Sequence, residues 1–240
     1  MKDTSRKLKK KLFYLLEQKD FTEALEQIES YPLKSSIGPL FSFFYSKDDQ
    51  VKWRAITAMG AIVSRLADVD IESGRVVMRR LMWSLNDESG GIGWGSPEAM
   101  AEIMARNRRL ADEYRNMLVS YICEDGNYVE YEMLQRGVLW GFGRLAHARP
   151  ELLYNCSSLL VPYMSASDPY LKGLAAWASG PLDLSPVRNC LEKLLENHCV
   201  IKIFLNLELV DRKISRLARE SLEGLFQAST ILENKKNGQV

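Results

Sequence analysis

Histidine is scarce in this chain of 240 residues, with only two, His147 and His198. That leaves little for metal ligation or acid–base chemistry near neutral pH. The four cysteines, Cys123, Cys156, Cys190 and Cys199, form no CxxC pair and fall short of a disulfide framework, which fits a reducing compartment. Neither charge sign prevails: 32 basic against 31 acidic side chains give a net charge of +1, which excludes a histone-like nucleic-acid binder and an acidic disordered chain. Long apolar runs are also missing. Arg and Glu recur through every apolar segment, and none reaches the roughly 18 residues of a membrane span. After the basic start, the apolar stretch Leu12 to Leu16 is closed by Glu17, short of the about 7 residues a secretory leader needs. The expected location is therefore the cytoplasm, with no membrane partner.

Reaction chemistry finds few carriers. No GxSxG, HExxH, P-loop or GxGxxG pattern occurs, and Cys190, His198 and Cys199 lack zinc-site spacing. Glu130 and Glu132 alternate along the chain and so diverge on a helix. No catalytic residue, metal or cofactor is expected, and the chain reads as a non-enzyme.

What is present is helical period. Val51, Ala55, Ala58 and Ile62 form one helical stripe, as do Leu134, Val138, Gly141 and Leu145, whereas strand-like alternation is hard to find. The helices also repeat. Val51 to Gly60, Leu134 to Gly143 and Leu171 to Gly180 align without gaps, each running from an apolar start through small residues to a glycine, and Ser215 to Gly224 is a weaker copy. The closing glycines at 60, 143, 180 and 224 imply units of about 40 residues, with a divergent copy near residue 100. Ser96 as N-cap and Pro97 at the first helical position supply it. Polar turns precede the copies, at Lys47 to Asp49, Glu124 to Asn127, Ser165 to Pro169 and Asp211. Further amphipathic stretches precede those turns, at 40–45, 76–85, 117–123, 159–164 and 187–195.

Helix, turn, helix at this period resembles the HEAT repeats of the bacterial phycobilin-lyase-like class. The match is carried by Val51, Lys52, Ala55, Ala58 and Gly60; Leu134, Gln135, Trp140 and Gly143; and Leu171, Lys172, Ala175, Ala176, Ala178 and Gly180. Gln135 and Lys172 stand where that pattern has Arg, and the second unit lacks the glycine. The expected fold is all-α, a right-handed α-solenoid of about five HEAT-like helix pairs in one domain: an N-terminal cap over 1–34, the array over 35–230 and a polar tail over 231–240.

Three features are candidates for function. The first is the loop 86–97, with four glycines around Trp94, followed by Glu98 and Glu102 one helical turn apart; Trp94, Glu98 and Glu102 are expected to form a binding pocket, or else the Trp plugs a gap and the acids favour the helix start. The second is a stripe of Trp53, Arg136, Trp140, Arg144 and Trp177 along the second helices, residue types common at binding hot spots. It lines the concave face where HEAT-like proteins bind, unless the tryptophans pack between repeats. The third is a basic cluster, Arg75, Arg79, Arg80, Arg106, Arg108, Arg109 and Arg115, either a phosphate track or a face salt-bridged by the interspersed acids. The favoured reading is a non-catalytic scaffold binding a protein segment or ligand. The alternatives are a nucleic-acid binder similar to the HEAT-like alkylpurine DNA glycosylases, which the cluster suggests, and a lyase-like cofactor chaperone, which only the family resemblance implies.

Overall fold

The computed structural model describes residues 5–85 and 93–224. The glycines at 90 and 91, the tail 231–240 and the last residues of the expected closing helix lie outside the described residues. Twelve α-helices follow one another among them: α1 Ser5–Leu16, α2 Phe21–Glu29, α3 Leu33–Phe43, α4 Asp49–Val69, α5 Ile71–Leu85, α6 Ser96–Arg106, α7 Arg108–Ser120, α8 Glu132–Ala148, α9 Val161–Met164, α10 Pro169–Ser179, α11 Arg188–Leu194 and α12 Ile214–Leu222. Between α11 and α12 the chain forms one hairpin, β1 Val200–Leu205 and β2 Glu208–Lys213. This strand pair departs from the all-α fold expected from helical period.

The helices start where polar turns cap them. Asp48 accepts hydrogen bonds from the Gln50 and Val51 amides at 2.8 and 3.2 Å and opens α4. Asp168 accepts from the Tyr170 amide at 3.0 Å, ahead of Pro169 at the first position of α10. Each carboxylate satisfies amides that the helix leaves open. For α6 the expectation is corrected by one residue. The N-cap is Gly95, at φ +74°, and Ser96 is already helical. A left-handed backbone is open to glycine, and a Cβ there would also meet the Phe44 ring at 3.0 Å.

The chain divides into two compact units, one of residues 1–114 with 204–209 and the other of 115–203 with 210–240. In the first unit α4 packs against α2, α3, α5 and α6. The predicted stripe Val51, Ala55, Ala58 and Ile62 is buried, but so are Arg54, Ile56, Thr57, Met59 and Val63 around the rest of the helix. A helix apolar on every side is surrounded on every side, and Lys52 and Trp53 remain half-buried near its N-terminus. Gly60 permits the approach of α6, since a Cβ there would lie 2.7 Å from Glu102 Cβ. In the second unit α10 packs between α8 and α12. Gly173 lets Ile201 of β1 rest on α10.

Candidate functional site

The predicted residues fall into two groups. Trp53, Trp94, Glu98 and Glu102 belong to the first unit; Arg136, Trp140, Arg144 and Trp177 belong to the second.

In the second unit the aromatic stripe is not an open face. Trp140 and Trp177 are 3% and 4% exposed, with ring centroids 6.3 Å apart. Trp177 lies against Gly143, where a Cβ would come within 2.6 Å of Cε3. Thr57, at the matching position of the first aligned segment, is buried as well. Arg136 is half-buried and structural in its contacts. It donates to Asp168 at 2.7 Å and Glu132 at 3.2 Å, and its guanidinium stands 4.5 Å from the Tyr170 ring centre. It thereby ties α8 to the capping carboxylate of α10. Arg144 is half-buried and acts electrostatically on His147.

The first unit holds the more open arrangement. Trp53 is half-buried and stacks on Phe204, with centroids 5.0 Å apart and planes 7° from parallel. Phe204 belongs to the hairpin, so no helical reading could have paired the two. The Lys52 ammonium lies 6.0 Å from the Trp53 ring centre and donates to Asp49 at 3.1 Å. Trp94 is half-buried in the turn entering α6. One turn further on, Glu98 is 9% exposed and its Oε2 has no hydrogen-bond partner. Burial pushes its carboxyl pKa upward, against smaller opposing effects of its own backbone amide and of the Lys52 charge. Glu102, 4% exposed, is paired with Arg106 at 3.3 Å. The two glutamates expected to act together thus differ: Glu102 has its cation and Glu98 has none within hydrogen-bonding distance.

The basic cluster is largely engaged. Arg75 forks onto Glu113 at 2.8 and 2.6 Å, Arg79 meets Glu72 at 2.6 Å, Arg108 meets Asp112 at 3.0 Å, and Arg80 lies over Phe41 at 4.1 Å. Among the described residues there is no group of three or more His, Cys, Asp or Glu side chains placed to hold a metal ion. No helix among them is long and apolar enough to cross a membrane.

No protein-family profile matches the chain. A protein of Archaeoglobus fulgidus described as uncharacterized is 30% identical over 107 residues, 45% of this chain and 52% of that protein. The chain thus spans about half the length of this curated relative. Among solved structures, a designed armadillo repeat protein in complex with the peptide (KR)4 superposes with a TM-score of 0.51 at 18% identity, over 89% of this chain and 97% of that one. An engineered protein superposes with a TM-score of 0.51 at 17% identity, over 92% of this chain and 58% of that one.

Proposed function

With an armadillo-type helical repeat as its fold, we propose that the chain is a non-catalytic HEAT-type scaffold of the cytoplasm that recognises an extended segment of another protein. The observation that carries this reading is the likeness, across 89% of the chain, to a designed repeat protein that holds a peptide. A helical repeat supplies an extended surface that suits such a ligand. The nucleic-acid alternative draws no support from the basic cluster, whose arginines Arg75, Arg79, Arg106 and Arg108 already face carboxylates. Phosphate tracking needs cations that can release counterions on binding.

Selection of a displayed random dodecapeptide library on the full chain tests the scaffold reading. Convergence on a shared motif is the expected outcome, with affinity retained after nuclease treatment. An unconverged library, or retention only of nucleic acid, would overturn it. Trp140 and Trp177 do not suit as surface variants here, because their truncation empties the core.

A further inference from the structure

Helix α1 carries five cations, Arg6, Lys7, Lys9, Lys10 and Lys11, and no acid among its twelve residues. Leu8, Leu12, Leu15 and Leu16 form its buried side, and it packs against α2, α3 and α4. At about 100° per residue, Lys10 points directly away from those leucines, and Arg6, Lys7 and Tyr14 lie within about 60° of it. Lys9 and Lys11 flank this ridge, their ammonium groups 5.4 Å from the Phe43 ring centre and 5.9 Å from that of Tyr31. All five cations are exposed, and so are Tyr14 at 65% and Phe13 at 39%. Arg75, Arg79, Arg106 and Arg108 face carboxylates, whereas among the described residues no carboxylate pairs with Arg6, Lys7, Lys9 or Lys10. Of the acids on the adjoining α2, Glu29 pairs with Arg65 at 3.4 Å, Glu23 accepts from Gln27 at 3.3 Å, and Glu26 stands exposed.

Independently of the segment that the repeat binds, we propose that the α1 ridge docks the protein on an anionic lipid surface, with Arg6, Lys7 and Lys10 against the head groups and Tyr14 at their level. The sign of the partner follows from charge, since clustered cations without acids of their own repel one another and are relieved by an anionic surface. Its form follows from the ridge, which is convex, with cations over about 200° of the helix circumference. That suits a broad surface better than a chain laid in a groove. Four of the five cations are lysines, point charges that suit a fluid array of head groups, where shaped recognition of a single phosphate or carboxylate favours arginine forks. Exposed aromatic rings on a cationic helix complete the chemistry of an interfacial surface. The leucines are held in the core, so α1 does not insert, and attachment is peripheral and salt-dependent. The absence of a membrane partner was expected from the lack of long apolar runs, and a surface of this kind needs none.

Co-flotation of the full chain with vesicles tests this, using phosphatidylcholine alone and phosphatidylcholine with about a third phosphatidylserine. Binding is expected only to the second, and should be lost as salt rises from about 0.1 M to about 1 M, where the screening length falls from about 10 to about 3 Å. Arg6→Gln combined with Lys7→Gln and Lys10→Gln should weaken binding about a hundredfold with Tm unchanged, since each cation near such a surface is worth about fivefold. Lys193→Gln combined with Lys202→Gln and Lys213→Gln removes as much charge from exposed positions elsewhere and should bind as wild type. If the α1 triple variant melts lower, Lys10→Gln alone is read, with about a fivefold loss expected. Equal binding to both vesicles, undiminished binding by the α1 variants, or equal losses in the two triple variants overturns the proposal. So does binding to polyuridine RNA or to an alternating Asp-Glu octapeptide with none to vesicles, which would assign the ridge to a nucleic acid or to an acidic segment. The scaffold reading stands or falls on the peptide selection and on none of these outcomes.

Discussion

His147 and Trp177 are joined twice: their rings stack with centroids 4.7 Å apart and planes 15° from parallel, and His147 Nε2 lies 3.1 Å from the Trp177 carbonyl oxygen. A carbonyl only accepts, so Nε2 carries the proton and donates it. That bond spans α8 and α10 near the end of α10, where the Trp177 carbonyl also accepts from the Gly180 amide at 3.2 Å. Trp177 is thus held by the ring of His147 on its side chain and by the same ring on its backbone.

This contact makes the second unit pH-sensitive in a definite direction. Burial, aided by the Arg144 charge, lowers the His147 pKa to about 4 from an ordinary value near 6.5. The unfolded chain therefore binds the proton more readily than the folded one, so the stability tied to neutral His147 is complete above about pH 6.5 and is lost as pH falls toward 4. The loss amounts to about 3 kcal/mol at the low end. Tm measured between pH 7 and 4.5 should fall more steeply in wild type than in His147→Gln, whose neutral amide does not titrate. Parallel curves would refute the assignment.

Gly143→Ala should be costly although alanine is the better helix former. The new Cβ would lie 2.6 Å from Trp177 Cε3 and 3.0 Å from Ala178 Cβ, and neither a buried indole nor a helix backbone moves away cheaply. Overpacking of this kind costs about 1–3 kcal/mol, against the fraction of a kcal/mol that alanine returns in propensity. A urea titration should show a lower midpoint with an unchanged slope; an unchanged midpoint would mean that α8 and α10 are looser than described.

Glycine also explains why the repeats were legible. Gly60 and Gly143 close two of the aligned segments, and at each an added Cβ would run into a neighbouring helix, at Glu102 of α6 and at Trp177 of α10. The packing constraint recurs, so the residue recurs, and helix spacing followed from it. The solvent side of the stripe was not legible in the same way. A periodic row of Trp and Arg looks alike whether it meets water or another helix, and that depends on neighbours remote in sequence. The hairpin was missed because its apolar residues Ile203, Phe204 and Leu205 run consecutively, which hides the alternation. The signal available was the β-branched run from Val200, with Asn206 as a turn residue. At the candidate site the sequence placed Glu98 and Glu102 together; what separates them, the position of Arg106 and the lack of a donor at Glu98, depends on side-chain geometry.

Arg54 should prove more important to stability than its charge suggests. It is 6% exposed, and its Nη1 donates to the Leu16 and Gln18 carbonyls at 2.9 and 2.6 Å. Those acceptors stand at the end of α1, and the guanidinium also lies 4.9 Å from the Phe21 ring centre, so one side chain fixes the turn from α1 into α2. Arg54→Met keeps much of the volume but strands two carbonyls, at a cost of about 2–4 kcal/mol. Hydrogen exchange should show the amides of α1 and α2 losing protection first. Loss spread evenly over the first unit would mean that Arg54 acts through general packing.

The hairpin turn is built from a poor residue for its conformation. Asn206 and Leu207 have φ of +50° and +68°, the paired left-handed geometry of a tight turn that matches strand twist. Asn tolerates this, whereas a leucine there costs about 1–2 kcal/mol relative to its preferred backbone. Leu207→Gly would create the Asn-Gly pair that such turns favour. It would also remove a half-buried side chain, worth about 1 kcal/mol, so stability should be unchanged or higher by up to about 1 kcal/mol. Leu207→Val retains an apolar side chain but adds a β-branch that this backbone rejects, and should lower stability by more than 1 kcal/mol. The ordering Gly at or above Leu, and Leu above Val, in thermal melts distinguishes a turn governed by backbone conformation from one governed by what Leu207 touches. The reverse ordering, with Val near wild type and Gly well below, would assign the turn to side-chain packing.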